Sequence, residues 1–280
     1  MASNTERNRW YSIPAPVRTL FNKFPLVTYP ENDLPLPRRN RENVLYVFGE
    51  SPLSYNPSCL KWQAYLRFSG INYSAIASSN HASPSGALPF LLPSTADTKP
   101  SKPVPSSRLQ RWAMNNSAAA IEESSDTRYE AYLSLLEHKI RRAWLYSVYL
   151  SANSTSIAEP LYVLPTSRNS FVRLTIARDL RCAAENELLK FSAIIDADLL
   201  HSEAEEAFNS LESLLGEDTW FFDNQMPGLF DASVFAYTHL LLDDNLGSGW
   251  ADTRLRDTIV QKKRLVAHRN RILDQFFASA

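Results

Sequence analysis

The spacing of apolar residues changes along the chain, and each change predicts an element. Residues 44–48 (VLYVF) form a continuous β-favouring run and 73–77 (YSAIA) alternate weakly, so both read as strands. Between them, Asn56 suits an N-cap and Pro57 a first helical position. Leu60, Ala64 and Phe68 then recur every fourth residue as one stripe, and Gly70 suits a left-handed helix end. A helix of about a dozen residues is predicted there. Residues 86–92 (GALPFLL) make a third apolar run, interrupted by Pro89.

Residues 93–105 hold Pro93, Pro100, Pro103 and Pro105 among polar residues and read as a surface loop. Beyond it the period becomes helical. Tyr129, Leu133, Leu136, Ile140 and Trp144 predict a long helix over roughly 127–150. The Ser-rich stretch 151–170 reads as a loop, and two or more helices fill 171–200. Ser202 with Glu205 three residues on reads as a capping box that starts a helix carrying Phe208, Leu211 and Leu215 and ending at Gly216. An apolar helix is predicted over 229–242, and a last one over 253–277 with Leu255, Ile259, Val266, Ile272 or Leu273, and Phe276 facing inward.

The order strand, helix, strand, proline-bearing strand is that of a thioredoxin-like half, and an all-α bundle follows it. The expected fold class is therefore α/β plus all-α, with domains at 43–105 and 106–280. Residues 1–42 stand apart. They contain Pro14, Pro16, Pro25, Pro30, Pro35 and Pro37, which favour extended backbone. Large apolar side chains are interspersed, and leaving each in water forgoes roughly 1.5–3 kcal/mol of burial. This arm is expected to dock on a partner, with Trp10, Tyr11, Phe21, Phe24, Leu26 and Tyr29 as its contact residues; the opposing reading is that it wraps its own domain and seals exposed core.

Composition narrows the function classes. With 44% hydrophobic and 21% charged residues the chain reads as globular. A net charge of −1 gives no overall footprint for nucleic acid. The 7 glycines form neither a dinucleotide-binding nor a phosphate-cradling motif. Cys59 and Cys182 are too few and too far apart for a disulfide framework or a zinc site, which suits a reducing compartment. The longest apolar runs fall well short of the ~20 residues of a membrane span, and no secretory signal opens the chain, so a soluble or peripheral protein is expected.

Cys59 is the sharpest catalytic candidate, because a thiol near a helix start feels the helix dipole; the opposing reading is a small buried hydrophobe. Ser54, Tyr46 and Tyr55 offer hydroxyls nearby. His81, His138, His201, His239 and His268 show no metal-ligand spacing, and His268 reads as packed and hydrogen-bonded. Glu203, Glu205 and Glu206 suit the helix start ascribed to Ser202. Lys262, Lys263, Arg264, Arg269 and Arg271 read as a solvated helix face. No catalytic residue, metal or cofactor is assigned.

Three segments carry a resemblance: 57–71 (PSCLKWQAYLRFSGI), 83–91 (SPSGALPFL) and 265–272 (LVAHRNRI). In this order they resemble the metaxin family of glutathione-transferase-like proteins, and 20–30 (LFNKFPLVTYP) resembles the arm of the fungal metaxin-type subunits that carry no membrane anchor. The resemblance makes Pro89 the cis-proline of the thioredoxin-like half. It makes 226–235 (MPGLFDASVF) the buried helix start of the helical half, with Gly228 at the N-cap and Asp231 completing half a capping box. Relatives that bind glutathione use a Ser after an acidic residue or Gln where this chain reads 105–112 (PSSRLQRW), a departure that argues against glutathione binding. What the resemblance implies is a non-catalytic peripheral subunit on the cytosolic face of the mitochondrial outer membrane. Its implied partners are the Omp85-type barrel subunit of the β-barrel sorting and assembly complex, a sister metaxin-like subunit and β-barrel precursors. The alternative is a glutathione transferase or thiol reductase acting through Cys59.

Overall fold

A computed structural model of the chain describes residues 42–49, 52–95, 102–117 and 126–278. The arm residues Trp10, Tyr11, Phe21, Phe24, Leu26 and Tyr29 lie outside the described residues. The first half is a mixed sheet built from β1 (Asn43–Val47), β2 (Tyr73–Ala77), β3 (Phe90–Leu92) and β4 (Val104–Pro105), in the order β2-β1-β3-β4. β1 and β2 are parallel, with Val44 opposite Ser74, and their crossover carries α1 (Pro57–Phe68). β3 runs antiparallel to β1, and β4 antiparallel to β3. The end of the segment expected to be loop thus forms a strand. Pro105 donates no backbone hydrogen bond, and it is tolerated because β4 is the sheet's edge.

At the start of α1, Asn56 Oδ1 accepts from the amides of Ser58 at 3.0 Å and Cys59 at 3.3 Å. At its end Gly70 adopts a φ of +66°, the left-handed turn that closes a helix. Leu60, Ala64 and Phe68 are buried, and so are Trp62, Tyr65 and Leu66, because a helix of the second half packs against α1.

After β4 the chain forms α2 (Ser106–Asn116), which packs on β3, β4 and α1, and then α3 (129–150), α4 (Ser154–Val163), α5 (Ser170–Leu189), α6 (Ala197–Leu215), α7 (Leu229–Leu242), α8 (Arg254–Val260) and α9 (Lys263–Ile272). In α3, α-helical turns alternate with π turns at Leu136–Ile140 and Tyr146–Leu150. α7 is the one covering α1. No described helix is long and apolar enough to cross a membrane.

Three sequence expectations are corrected here. The loop expected over 151–170 contains α4. Pro160 inside it has no N–H for an ordinary α-helical ladder, and the turn widens to π geometry, with Leu164 N bonding Glu159 O at 2.9 Å. The helix ascribed to Ser202 starts at Ala197, where Asp196 Oδ1 accepts from Asp198 N at 3.0 Å and Leu199 N at 3.1 Å. Asp caps as well as Ser does, and the earlier start brings Leu200 into the core. Glu203 consequently sits inside α6 and pairs with Lys139 and Arg142. The last helix breaks at Lys262, whose ψ of 79° is non-helical. The break turns Leu265, His268 and Ile272 inward, while Val266 is only half-buried.

Candidate functional site

The corner between β1 and α1 is where Cys59, Ser54 and Tyr55 fall. Its loop is tied down from both sides: Ser54 Oγ donates to Phe48 O at 2.5 Å, Ser54 N donates to Gln63 Oε1 at 2.8 Å, and Gln63 Nε2 donates to Pro52 O at 3.0 Å. Gln63 is fully buried, so α1 itself supplies the staple. Cys59 is also fully buried. Burial pushes its thiol up to about 12, against smaller opposing pulls from the Phe48 backbone and the Ser54 side chain. The amides of Ser58 and Cys59, which carry the positive end of the helix dipole, bond to Asn56. A thiolate at neutral pH is thereby disfavoured, and with it nucleophilic chemistry at this sulfur.

A second half of the corner comes from α4. Tyr162 packs edge-on against Tyr55 at 4.9 Å and Phe48 at 5.5 Å, and it lies 5.8 Å from Tyr149 of α3. Tyr55 donates its hydroxyl to Leu161 O at 2.8 Å, and Asn56 Nδ2 donates to the Tyr162 hydroxyl at 3.2 Å. Burial raises all three phenols, Tyr55 to about 12, so they stay neutral hydrogen-bonding groups. Clefts flank this plug. One of about 550 Å³ opens beside Gly49, Ser79 and Pro165. Another of about 290 Å³ is lined by Ser58, Lys61, Glu137, Arg141 and Tyr237. Burial lowers Lys61, with Glu137 opposing the shift.

The other buried polar centre is a clamp at the start of α7. Asp231 Oδ2 accepts from Gly228 N at 2.9 Å, and Oδ1 lies 3.1 Å from Phe221 N and 2.9 Å from His268 Nε2. Gly228 has no side chain, so only this half of a capping box forms. Both Asp231 and His268 are fully buried. The carboxylate therefore ties α7, the Phe221–Asp223 turn and α9 together.

The remaining candidates do not converge. The Leu88–Pro89 peptide bond is cis. Tyr46 stacks on Phe90 at 4.5 Å in the sheet. α2 begins at Ser106 with no acidic residue in its first turn. His138 rests on Phe191, His201 on Tyr146 and His239 on Phe235. Among the described residues no group of three His, Cys, Asp or Glu is placed to hold a metal ion. Arg264 pairs with Glu217, and Arg271 donates to Thr219 O at 2.6 Å, so the basic face is partly tied down. Sequence reasoning missed Gln63, Tyr149 and Tyr162. Tyr162 had a signal, since Ile157 and Leu161 beside it stand four apart, but Pro160 and the neighbouring serines obscured it.

Two family models match: the glutathione S-transferase N-terminal domain over residues 57–154, and the glutathione S-transferase C-terminal domain over 204–272. The chain is 30% identical to Metaxin-3 of Danio rerio over 66% of its own length and 59% of that protein's. It is 29% identical to Metaxin-1 of Mus musculus over 76% of its own length and 68% of that protein's. The chain thus spans less than two thirds of the Danio rerio relative. A solved glutathione S-transferase III in apo form matches 84% of this chain and 92% of its own, at 14% identity and a TM-score of 0.49, which adds nothing to the assignment. On the family models and the metaxins, the chain belongs to the metaxin family of glutathione-transferase-like proteins.

Proposed function

We propose that this chain is a non-catalytic, peripheral subunit of the β-barrel sorting and assembly complex, on the cytosolic face of the mitochondrial outer membrane. In this reading residues 43–105 and 106–280 supply the folded body. Residues 1–42 supply an arm that docks on the Omp85-type barrel subunit through Trp10, Tyr11, Phe21, Phe24, Leu26 and Tyr29. A sister metaxin-like subunit and β-barrel precursors are its other partners. Membership of the metaxin family supports the location. The observation that carries the non-catalytic role is the corner itself, where burial holds the Cys59 thiol at about 12 and Tyr162 packs edge-on against the neighbouring Tyr55.

The test has two parts. Crosslinking in detergent-solubilised outer membrane is expected to join this chain to the barrel subunit. Conjugation of glutathione to electrophiles is expected to stay at the uncatalysed background. Robust conjugation that disappears in Cys59→Ala would overturn the proposal in favour of a transferase.

A further inference from the structure

α5 is covered on one side only. Of its residues Ala184 and Leu188 alone are fully buried, both in its second half. In its first turns Phe171 is 83% exposed and Leu174 70%, and their spacing of three places them side by side. Val172 and, in the preceding turn, Leu164 are also exposed. Arg173 folds that turn back, donating to Ser167 O at 2.5 Å and Leu164 O at 3.2 Å.

Charge distinguishes this patch from its neighbour. Between residues 164 and 182 stand Arg168, Arg173, Arg178 and Arg181 against the single acid Asp179. Arg168, Arg178 and Arg181 are exposed and form no ion pair among the described residues. A second exposed apolar group, Phe191, Ile194 and Leu199, lies at the far end of α5 and beyond it, among Glu187, Asp196 and Asp198. There Glu187 pairs with Arg141 and Lys190, and Asp198 with Arg254, so the unpaired arginines beside Phe171 and Leu174 make the first patch the one an anionic surface attracts. An exposed aromatic and leucine flanked by arginines on a helix flank is the combination that seats a helix in a headgroup layer.

We infer that the start of α5, with Phe171 and Leu174 inserting and Arg168, Arg178 and Arg181 facing lipid phosphates, docks on an anionic bilayer. This contact is independent of the arm and of any barrel partner. It adds a second attachment, so the two together hold the chain more tightly than either alone.

Protein-free vesicles test it with the full chain, using phosphatidylcholine alone against phosphatidylcholine with about one-fifth phosphatidylinositol. Flotation is expected with the anionic vesicles, falling as salt rises. Arg178→Gln with Arg181→Gln is expected to weaken binding about fivefold per arginine. Phe171→Ser with Leu174→Ser is expected to weaken it about tenfold or more. Thermal unfolding should stay unchanged in both variants, because these side chains touch solvent. Equal flotation of the Phe171/Leu174 variant, or no flotation at low salt, overturns the inference. Binding only to vesicles that contain a membrane protein also overturns it, since the patch is then a protein contact. Recovery of the barrel subunit in detergent reports on the arm alone, so failure of the lipid contact leaves the proposed function standing.

Discussion

Cys59 and Asp231 are both fully buried near a helix start, yet their surroundings are opposite. Asp231 accepts from two backbone amides and faces His268, so each oxygen has a short contact and the carboxylate fastens three elements together. Cys59 is enclosed while Asn56 takes up the nearby amides, so burial outweighs the opposing pulls of the Phe48 backbone and the Ser54 side chain and keeps the sulfur protonated. Where a buried polar group is matched by several short contacts it holds the fold, and where burial outweighs the contacts it has, its chemistry is suppressed. In this chain the residue type best suited to catalysis occupies the second kind of place.

Breaking the clamp should give the largest effect. Asp231→Ala leaves two buried amides and an imidazole without an acceptor, and a loss of about 3–5 kcal/mol is expected in denaturant unfolding. Asp231→Asn retains an acceptor oxygen and should cost less. If both variants lose under about 1 kcal/mol, the clamp does not hold the fold as described.

A third buried group lies on the same helix as Asp231 and sharpens the contrast. Burial lowers His239 to about 4, with Arg269 adding to the shift, and its Nδ1 has no partner in the described structure. The unfolded chain takes up a proton near 6.5 that the folded chain refuses until about 4. Stability is therefore full above 6.5 and declines as pH falls through that window, by on the order of 3 kcal/mol. His239→Leu should flatten this part of the unfolding profile; an unchanged acid slope would place its origin elsewhere.

Smaller effects come from the support beneath the corner. Gly247 has φ +63°, and a Cβ there would meet Ser156 O at 2.5 Å and Ile157 Cα at 2.8 Å on α4. Gly247→Ala is expected to cost about 1–3 kcal/mol and to loosen the helix that carries Tyr162. In a Cys182→Ser background, thiol labelling of Cys59 should then speed up relative to the parent, where it should follow unfolding. Rapid labelling of Cys59 in the folded parent would show that the corner is open.

Strands β1 to β3 and α1 were legible because their signals are local: the apolar runs, Asn56-Pro57, the Leu60 stripe and Gly70 each act within a turn of where they stand, whereas the two-residue β4 carries no such run. α7 was legible because its burial leaves no polar face to confuse the period. What escaped depended on distant partners. α4 reads as a serine-rich loop until Gly247 is seen to seat against it. The Ser202 box lost to Asp196 because two local caps compete and packing chooses between them. The Cys59 corner was half legible: the helix start was visible, but the plug comes from Tyr162, 103 positions further along the chain.

The proposed role requires docking and leaves the Cys59 thiol without a part. The most direct measurement recovers the barrel subunit from detergent-solubilised outer membrane with three forms: the full chain, Cys59→Ala, and a chain lacking residues 1–30. Equal recovery by the first two and much weaker recovery by the third are expected, with thermal unfolding of the third nearly unchanged. Recovery that fails in Cys59→Ala, or a shortened chain that loses stability while recovering the barrel as before, would contradict it.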